Sequence, residues 1–185
     1  VIPGFTISGA LPPYMGGDPT MRDAVSPYAA TLTELCRRFA TSSERIAILN
    51  GLLSYRRELK AAGFAGGFQW IDGSFIEDVE ALRGRPPGDI DIVTFTHPPP
   101  ELYTDTDRFL DEFSSLIDPN QCKLTFRCDA YIVDLTRQPL QLVSDTSYWF
   151  GLFSHQRDTA LWKGIISIDF DADEDEASNL LGGEA

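Results

Sequence analysis

Cysteine is scarce in this chain, and histidine and methionine are scarcer still. Cys36, Cys122 and Cys128 form no CxxC pair and have no histidine at zinc-finger spacing. That pattern excludes a cysteine-based zinc module and a disulfide scaffold. Three scattered thiols suit a reducing compartment, so the expected location is the cytoplasm. No apolar run approaches the roughly 20 residues that a bilayer span requires, and no membrane partner is expected. The opening "VIPGFTISGALPPY" has neither a basic n-region nor a long h-region, so it does not read as a secretory leader. Positive charge is the other shortage, with 15 Lys and Arg against 28 Asp and Glu, a net charge of −13. Residues 1–70 carry seven basic against five acidic side chains, and residues 71–185 carry eight against twenty-three. Such a surface offers little to a long nucleic-acid footprint, because phosphate attraction needs a basic face.

What the chain does have is 185 residues, 43% of them hydrophobic, including twelve phenylalanines. This is enough for one domain of ordinary size with a real core. The reading is one domain over 1–170, led by an irregular Gly/Pro-rich arm over 1–25 and followed by an acidic, flexible tail over 171–185. In "SPYAATLTELCRRFA", Ser26 and Pro27 read as N-cap and first position of a helix whose face carries Leu32, Leu35, Cys36 and Phe39. A capping box of Thr41 and Glu44 opens a second helix through Ile46, Leu49, Leu53 and Leu59. Arg37, Arg38, Arg56, Arg57 and Lys60 read as solvated helix faces. "GFQWID" and "DIDIVTF" read as strands, "TDTDRFLDEFSSLI" as a helix, "KLTFRCDAYIVDL" as one long strand and "KGIISIDF" as the last strand. The expected fold class is α/β (α+β), a small mixed sheet flanked by helices, two of which precede the first core strand.

The chemistry-bearing passage is "WIDGSFIEDVEALRGRPPGDIDIVTF". In an extended strand alternate side chains share a face, so Asp89 and Asp91 project together while Ile90 and Ile92 anchor the sheet. Carboxylates roughly 7 Å apart along one strand repel unless a cation lies between them. Mg²⁺, or Mn²⁺ in its place, is the natural candidate, since hard oxygen ligands suit it and phosphates and water complete its shell. Gly73 and Ser74 follow the preceding strand, where a glycine lets the backbone approach a phosphate and a hydroxyl donates one more hydrogen bond. Asp129, inside "LTFRCDAYIVDL", is the candidate third carboxylate. Asp134 lies an odd number of positions away, on the opposite face, and reads as a turn residue. Asp72 reads as stabilising the turn at Gly73. Trp149, Phe150 and Phe153 read as core aromatics, and Asp169 and Asp171 as surface. In "FSHQRDTALWKG", Arg157 and Lys163 are candidate phosphate-binding cations, although surface pairing explains such a loop equally simply.

The series "DGSF", "DID" and "CDAY" resembles the nucleotidyltransferase fold of the DNA polymerase beta superfamily over roughly residues 65–135. Together with "ALPPY", "FSHQRD" and "WKGIISID", it is also similar to an uncharacterised bacterial family of small nucleotidyltransferase-like proteins. The resemblance implies that Gly73 and Ser74 hold the triphosphate of an NTP such as ATP, and that Asp89, Asp91 and Asp129 bind two Mg²⁺. It implies transfer of an NMP to a hydroxyl of a protein, a small molecule or a short RNA 3′ end, with pyrophosphate leaving. It further implies a bacterial toxin–antitoxin or phage-defence setting and a cognate protein partner. The alternative function is a non-catalytic nucleotide sensor or partner module on the same fold. Asp89 follows Ser74 by fifteen positions, longer than the superfamily pattern, so the segment between them is expected to be altered.

Overall fold

The computed structural model describes residues 1–182. Its centre is a five-stranded mixed sheet of β1 (Tyr28–Ala29), β2 (Ala65–Asp72), β3 (Ile90–His97), β4 (Cys128–Asp134) and β5 (Ile166–Asp169), in the order β1-β5-β2-β3-β4. β2 is antiparallel to both β3 and β5, while β3 runs parallel to β4 and β1 parallel to β5. Nine α-helices among the described residues accompany the sheet: α1 (Leu32–Phe39), α2 (Ser43–Ala61), α3 (Val79–Arg83), α4 (Glu101–Thr104), α5 (Thr106–Glu112), α6 (Ser114–Ile117), α7 (Pro119–Phe126), α8 (Pro139–Phe153) and α9 (Asp175–Gly182). The α/β class is as expected, and α1 and α2 precede the first central strand. None of the helices among the described residues is long and apolar enough to cross a membrane.

Strand alternation divides the core in two. Ile71, Ile90, Ile92, Cys128, Ala130, Ile166 and Ile168 face one way and pack with the buried sides of α1, α2, α7 and α9. Trp70, Val93, Phe95 and Val133 face the other way, under Phe153 and the half-buried Leu142, Trp149 and Phe150 of α8. The expected core role of these α8 aromatics holds, with Phe153 fully packed and the other two partly so.

Three local expectations change. The segment at Ser26 and Pro27 does not open a helix, because Tyr28 and Ala30 donate backbone hydrogen bonds to Ile165 and Ser167, extending the sheet. The helix begins after them, with a reciprocal capping box between Thr31 and Glu34 at 3.1 and 2.9 Å. The cap of α2 is Ser42 rather than Thr41. The long strand read in "KLTFRCDAYIVDL" begins as helix, with α7 running to Phe126 and β4 starting at Cys128. Asp118 caps the N–H groups of Asn120 and Gln121, Pro119 starts α7, and Arg127 turns left-handed (φ 57°) into β4.

The acidic end is also more ordered than its composition suggests. Residues 175–182 form α9, with Ala177 and Leu181 buried; residues 183–185 of the expected tail lie outside the described residues. Arg56, expected on a solvated face, is fully buried. Its guanidinium donates to Glu174 Oε1 (2.9 Å), Gln69 Oε1 (2.5 Å) and the carbonyls of Asp169 (3.0 Å) and Phe170 (2.9 Å). A planar five-donor fork suits that cluster of acceptors, and it fastens the segment after β5 onto α2.

Candidate functional site

The carboxylates meet at the end of the sheet where β2 finishes and β3 and β4 begin. Asp91 lies opposite Asp72 across the antiparallel pair and opposite Asp129 across the parallel one. Alternation puts Asp72 on the face of Trp70, Asp91 on the face of Val93, and Asp129 on the face of Tyr131 and Val133. Asp89, just before β3, is two residues from Asp91 and shares its side. The parallel β3–β4 register thus sets Asp91 beside Asp129, and Asp89, just outside β3, lies near enough for its charge to act on Asp91. Asp134 is at the other end of β4, where it accepts from Tyr103 Oη (2.5 Å) and the Thr136 N–H (2.7 Å), the turn role its spacing implied.

Burial, then the neighbouring charges of Asp89 and Asp129, push the Asp91 carboxyl up to about 6. One cation answers this crowding from outside the sheet. Lys123 of α7 pairs with Asp89, and that contact, aided by Asp129 and Asp91, holds its ammonium above the usual lysine range. Lys123 was hidden from sequence reasoning by the strand reading of its segment. The Asp118-Pro119 cap was the signal that would have exposed the helix.

Gly73 sits directly against Asp91. A Cβ at position 73 would fall inside the Asp91 carboxylate, and the backbone there has φ +81°, so only glycine fits without strain. Ser74 follows in a 3-10 turn over Ser74–Ile76. The glycine needed at this turn therefore admits a carboxylate of the chain itself.

A second cluster lies beside Asp72. Lys163 is buried, with Nζ 3.0 Å from Asp72 Oδ1 and 3.0 Å from Glu77 Oε1. The Glu77 contact is a hydrogen bond; the Asp72 contact is charge pairing without hydrogen-bond alignment. Burial pushes the Asp72 carboxyl up to about 7, with Lys163 opposing. Burial also opposes the Lys163 charge, but the two carboxylates outweigh it and hold the ammonium above its ordinary value. Lys163 was expected as a phosphate-binding cation; it is instead an internal counter-ion, sealed from a leaving group. Arg157 is exposed on the loop after α8, and among the described residues no hydrogen bond or ion pair joins it to the carboxylates. Asp72, read as a turn residue, is half of a buried ion pair.

Glu77 comes from the long segment between Ser74 and Asp89. That segment is not an open loop: Phe75 and Ile76 are buried, and α3 follows with Val79 buried at its start. Arg45 of α2 fastens it, donating to the carbonyls of Phe75 (2.6 Å) and Glu77 (2.8 Å) and pairing with Glu80 at 2.6 Å. Arg83 bridges from α3 to Asp158 at 3.1 Å.

The donor set of Asp89, Asp91 and Asp129 fits a hard divalent cation in chemistry and backbone placement. Three carboxylates gather at one end of the sheet, and burial followed by the charges of the other two raises the pKa of Asp91. The side chains as they stand do not close on a point. Asp89 turns to Lys123 and Asp91 to Gly73, and among the described residues no three His, Cys, Asp or Glu side chains converge to hold a metal.

Residues 3–169 match the model of a family of unknown function, DUF6932. Comparison with curated proteins and with solved structures found no match to either.

Proposed function

The chain belongs to the DUF6932 family, and we propose that it is an Mg²⁺-dependent nucleotidyltransferase moving an NMP from an NTP to a hydroxyl acceptor. The observation that carries the reading is the β3–β4 register, which sets Asp91 beside Asp129, with the Asp89 charge acting on Asp91 and the Gly73-Ser74 turn against it. Asp89, Asp91 and Asp129 would hold Mg²⁺ or Mn²⁺, which when bound neutralises the transferring phosphate and lowers the acceptor hydroxyl pKa. The chain's own part is positioning. The turn at Gly73 and Ser74 would offer N–H groups and a hydroxyl to the triphosphate. The Asp72–Lys163–Glu77 cluster fixes the end of β2 on which that turn is built. Arg157, exposed on its loop, would be free to neutralise the leaving pyrophosphate.

The acidic surface favours a protein, a small molecule or a short RNA end as acceptor over a long nucleic acid. A bacterial toxin–antitoxin or phage-defence setting, with a cognate protein partner, belongs to the same proposal. The splayed carboxylates favour one second reading, a nucleotide sensor or partner module that binds without turnover.

Purified protein with Mg²⁺ or Mn²⁺ and the four labelled NTPs separates these. Binding, followed by label transfer to a cell extract that is lost in Asp89→Ala and Asp91→Ala, is the expected result. Binding without transfer favours the sensor, and failure to bind any of the four NTPs removes both readings.

A further inference from the structure

Two lysines serve the carboxylates at this end of the sheet, and they are held very differently. The Lys163 side chain is 4% exposed and wedged between two buried acids. The Lys123 side chain is 52% exposed and reaches its one paired carboxylate from a helix outside the sheet, on a flexible four-carbon stem. The base of that stem is fixed. Cys122 is buried beside it, Asp118 caps the start of α7, and the left-handed Arg127 joins α7 directly to β4. The ammonium can therefore leave without disturbing the fold, and while in place it engages the Asp89 carboxylate, for which a metal held by the same residue would compete.

We infer that Lys123 is a resident counter-ion of the Asp89, Asp91 and Asp129 edge, which a divalent cation must displace in order to bind. The inference rests on the metal-binding reading proposed above. Two positive charges cannot share the Asp89 carboxylate cheaply, so metal binding and the Lys123–Asp89 pair exclude one another. Released from Asp89, the lysine stays within reach of the same edge. There it supplies a mobile cation for the phosphate chain of a nucleotide, the duty that buried Lys163 cannot perform.

The test is titration of nucleotide-free protein with MnCl₂, read by calorimetry and by the Mn²⁺ paramagnetic resonance signal, on wild type, Lys123→Met, Lys123→Arg and Arg108→Gln. Arg108 is an exposed control for the loss of one positive charge, paired among the described residues with Glu112 at 3.8 Å. Lys123→Met should bind Mn²⁺ roughly fivefold more tightly than wild type, the scale of one partly exposed ion pair. Lys123→Arg and Arg108→Gln should stay near wild type, and Asp89→Asn placed on Lys123→Met should abolish the gain. If wild type binds Mn²⁺ and Lys123→Met binds no more tightly, the lysine inference is overturned while the metal site stands. An equal gain in Arg108→Gln overturns it too, because net charge alone then accounts for the effect. If neither wild type nor Lys123→Met binds Mn²⁺, the metal reading itself fails and takes the inference with it.

Discussion

One face of the sheet, carrying Ile71, Ile92, Ala130 and Ile166, is sealed by α1, α2, α7 and α9. The other face, carrying Trp70, Val93 and Val133, has α8 over it and ends in carboxylates. Charge is handled accordingly. On the sealed face Arg56 is fully buried and every direction of its guanidinium meets an acceptor. On the open face Asp91 keeps a raised pKa, and its neighbour Asp89 depends on a lysine that solvent can reach. α8 itself leaves Leu140, Val143, Tyr148 and Leu152 in solvent. The sealed face spends its polar groups on holding the fold, whereas the open face leaves a surplus of negative charge that folding does not use. Surplus of this kind, in one corner of a sheet, is where function is to be sought.

The strongest way to break the contrast is at Arg56. Arg56→Ala leaves Glu174 with Lys60 as partner but takes the donor from the buried Gln69 side chain and from the carbonyls of Asp169 and Phe170, freeing the segment after β5, so it should cost about 3–5 kcal/mol by urea denaturation. A loss below about 1 kcal/mol would mean that the sealed face is not held as described.

Asp91→Asn should act in the opposite direction. A native carboxyl pKa raised to about 6 from an ordinary 3.8 means the folded state binds the proton more tightly. Wild-type stability from this group is therefore full below about pH 4, declines as pH rises toward 6, and stays reduced above that. In chelator at pH 8 the substitution should stabilise by roughly 2 kcal/mol, a melting rise of about 5 °C, shrinking as pH falls from 6 to 4. A pH-independent effect would mean that burial and the acidic neighbours do not raise the Asp91 pKa as described.

The smallest effect belongs to the outer side of α8. Leu140→Ser should change stability by less than about 0.5 kcal/mol, since that side chain is 82% exposed. A larger loss would show that the open face is more tightly closed than the contrast allows.

Much of this was readable in local pattern. Alternation in "DIDIVTF" separated anchoring isoleucines from projecting aspartates, and the apolar runs marked β2, β3 and β5. Asp129 was singled out by the same alternation, and the β3–β4 register sets it opposite Asp91. Reading failed where a local signal was outvoted by distant partners. Ser26-Pro27 looked like a helix start, but β5, almost 140 residues later, claims that backbone. The acidic end looked solvated, yet Ala177 and Leu181 find a surface on α1 and α2, and Glu174 finds Arg56. At "KLTFRCDAYIVDL", β-branched and aromatic residues concealed that a helix ends at Phe126, and Lys123 was concealed with it.

The sequence by itself determined the periodicities: which strands exist, that two aspartates share a side, and that a glycine ends β2. Those depend on backbone geometry repeated every two or four residues, so neighbours suffice to specify them. Only the tertiary structure decided which cation meets which carboxylate. Lys163 reaches back to Asp72 and Glu77, and Lys123 to Asp89, across 91, 86 and 34 positions of chain. An ion pair is set by distance and burial in space, which sequence spacing does not encode. For the same reason the "DID" edge has one locked and one releasable counter-ion.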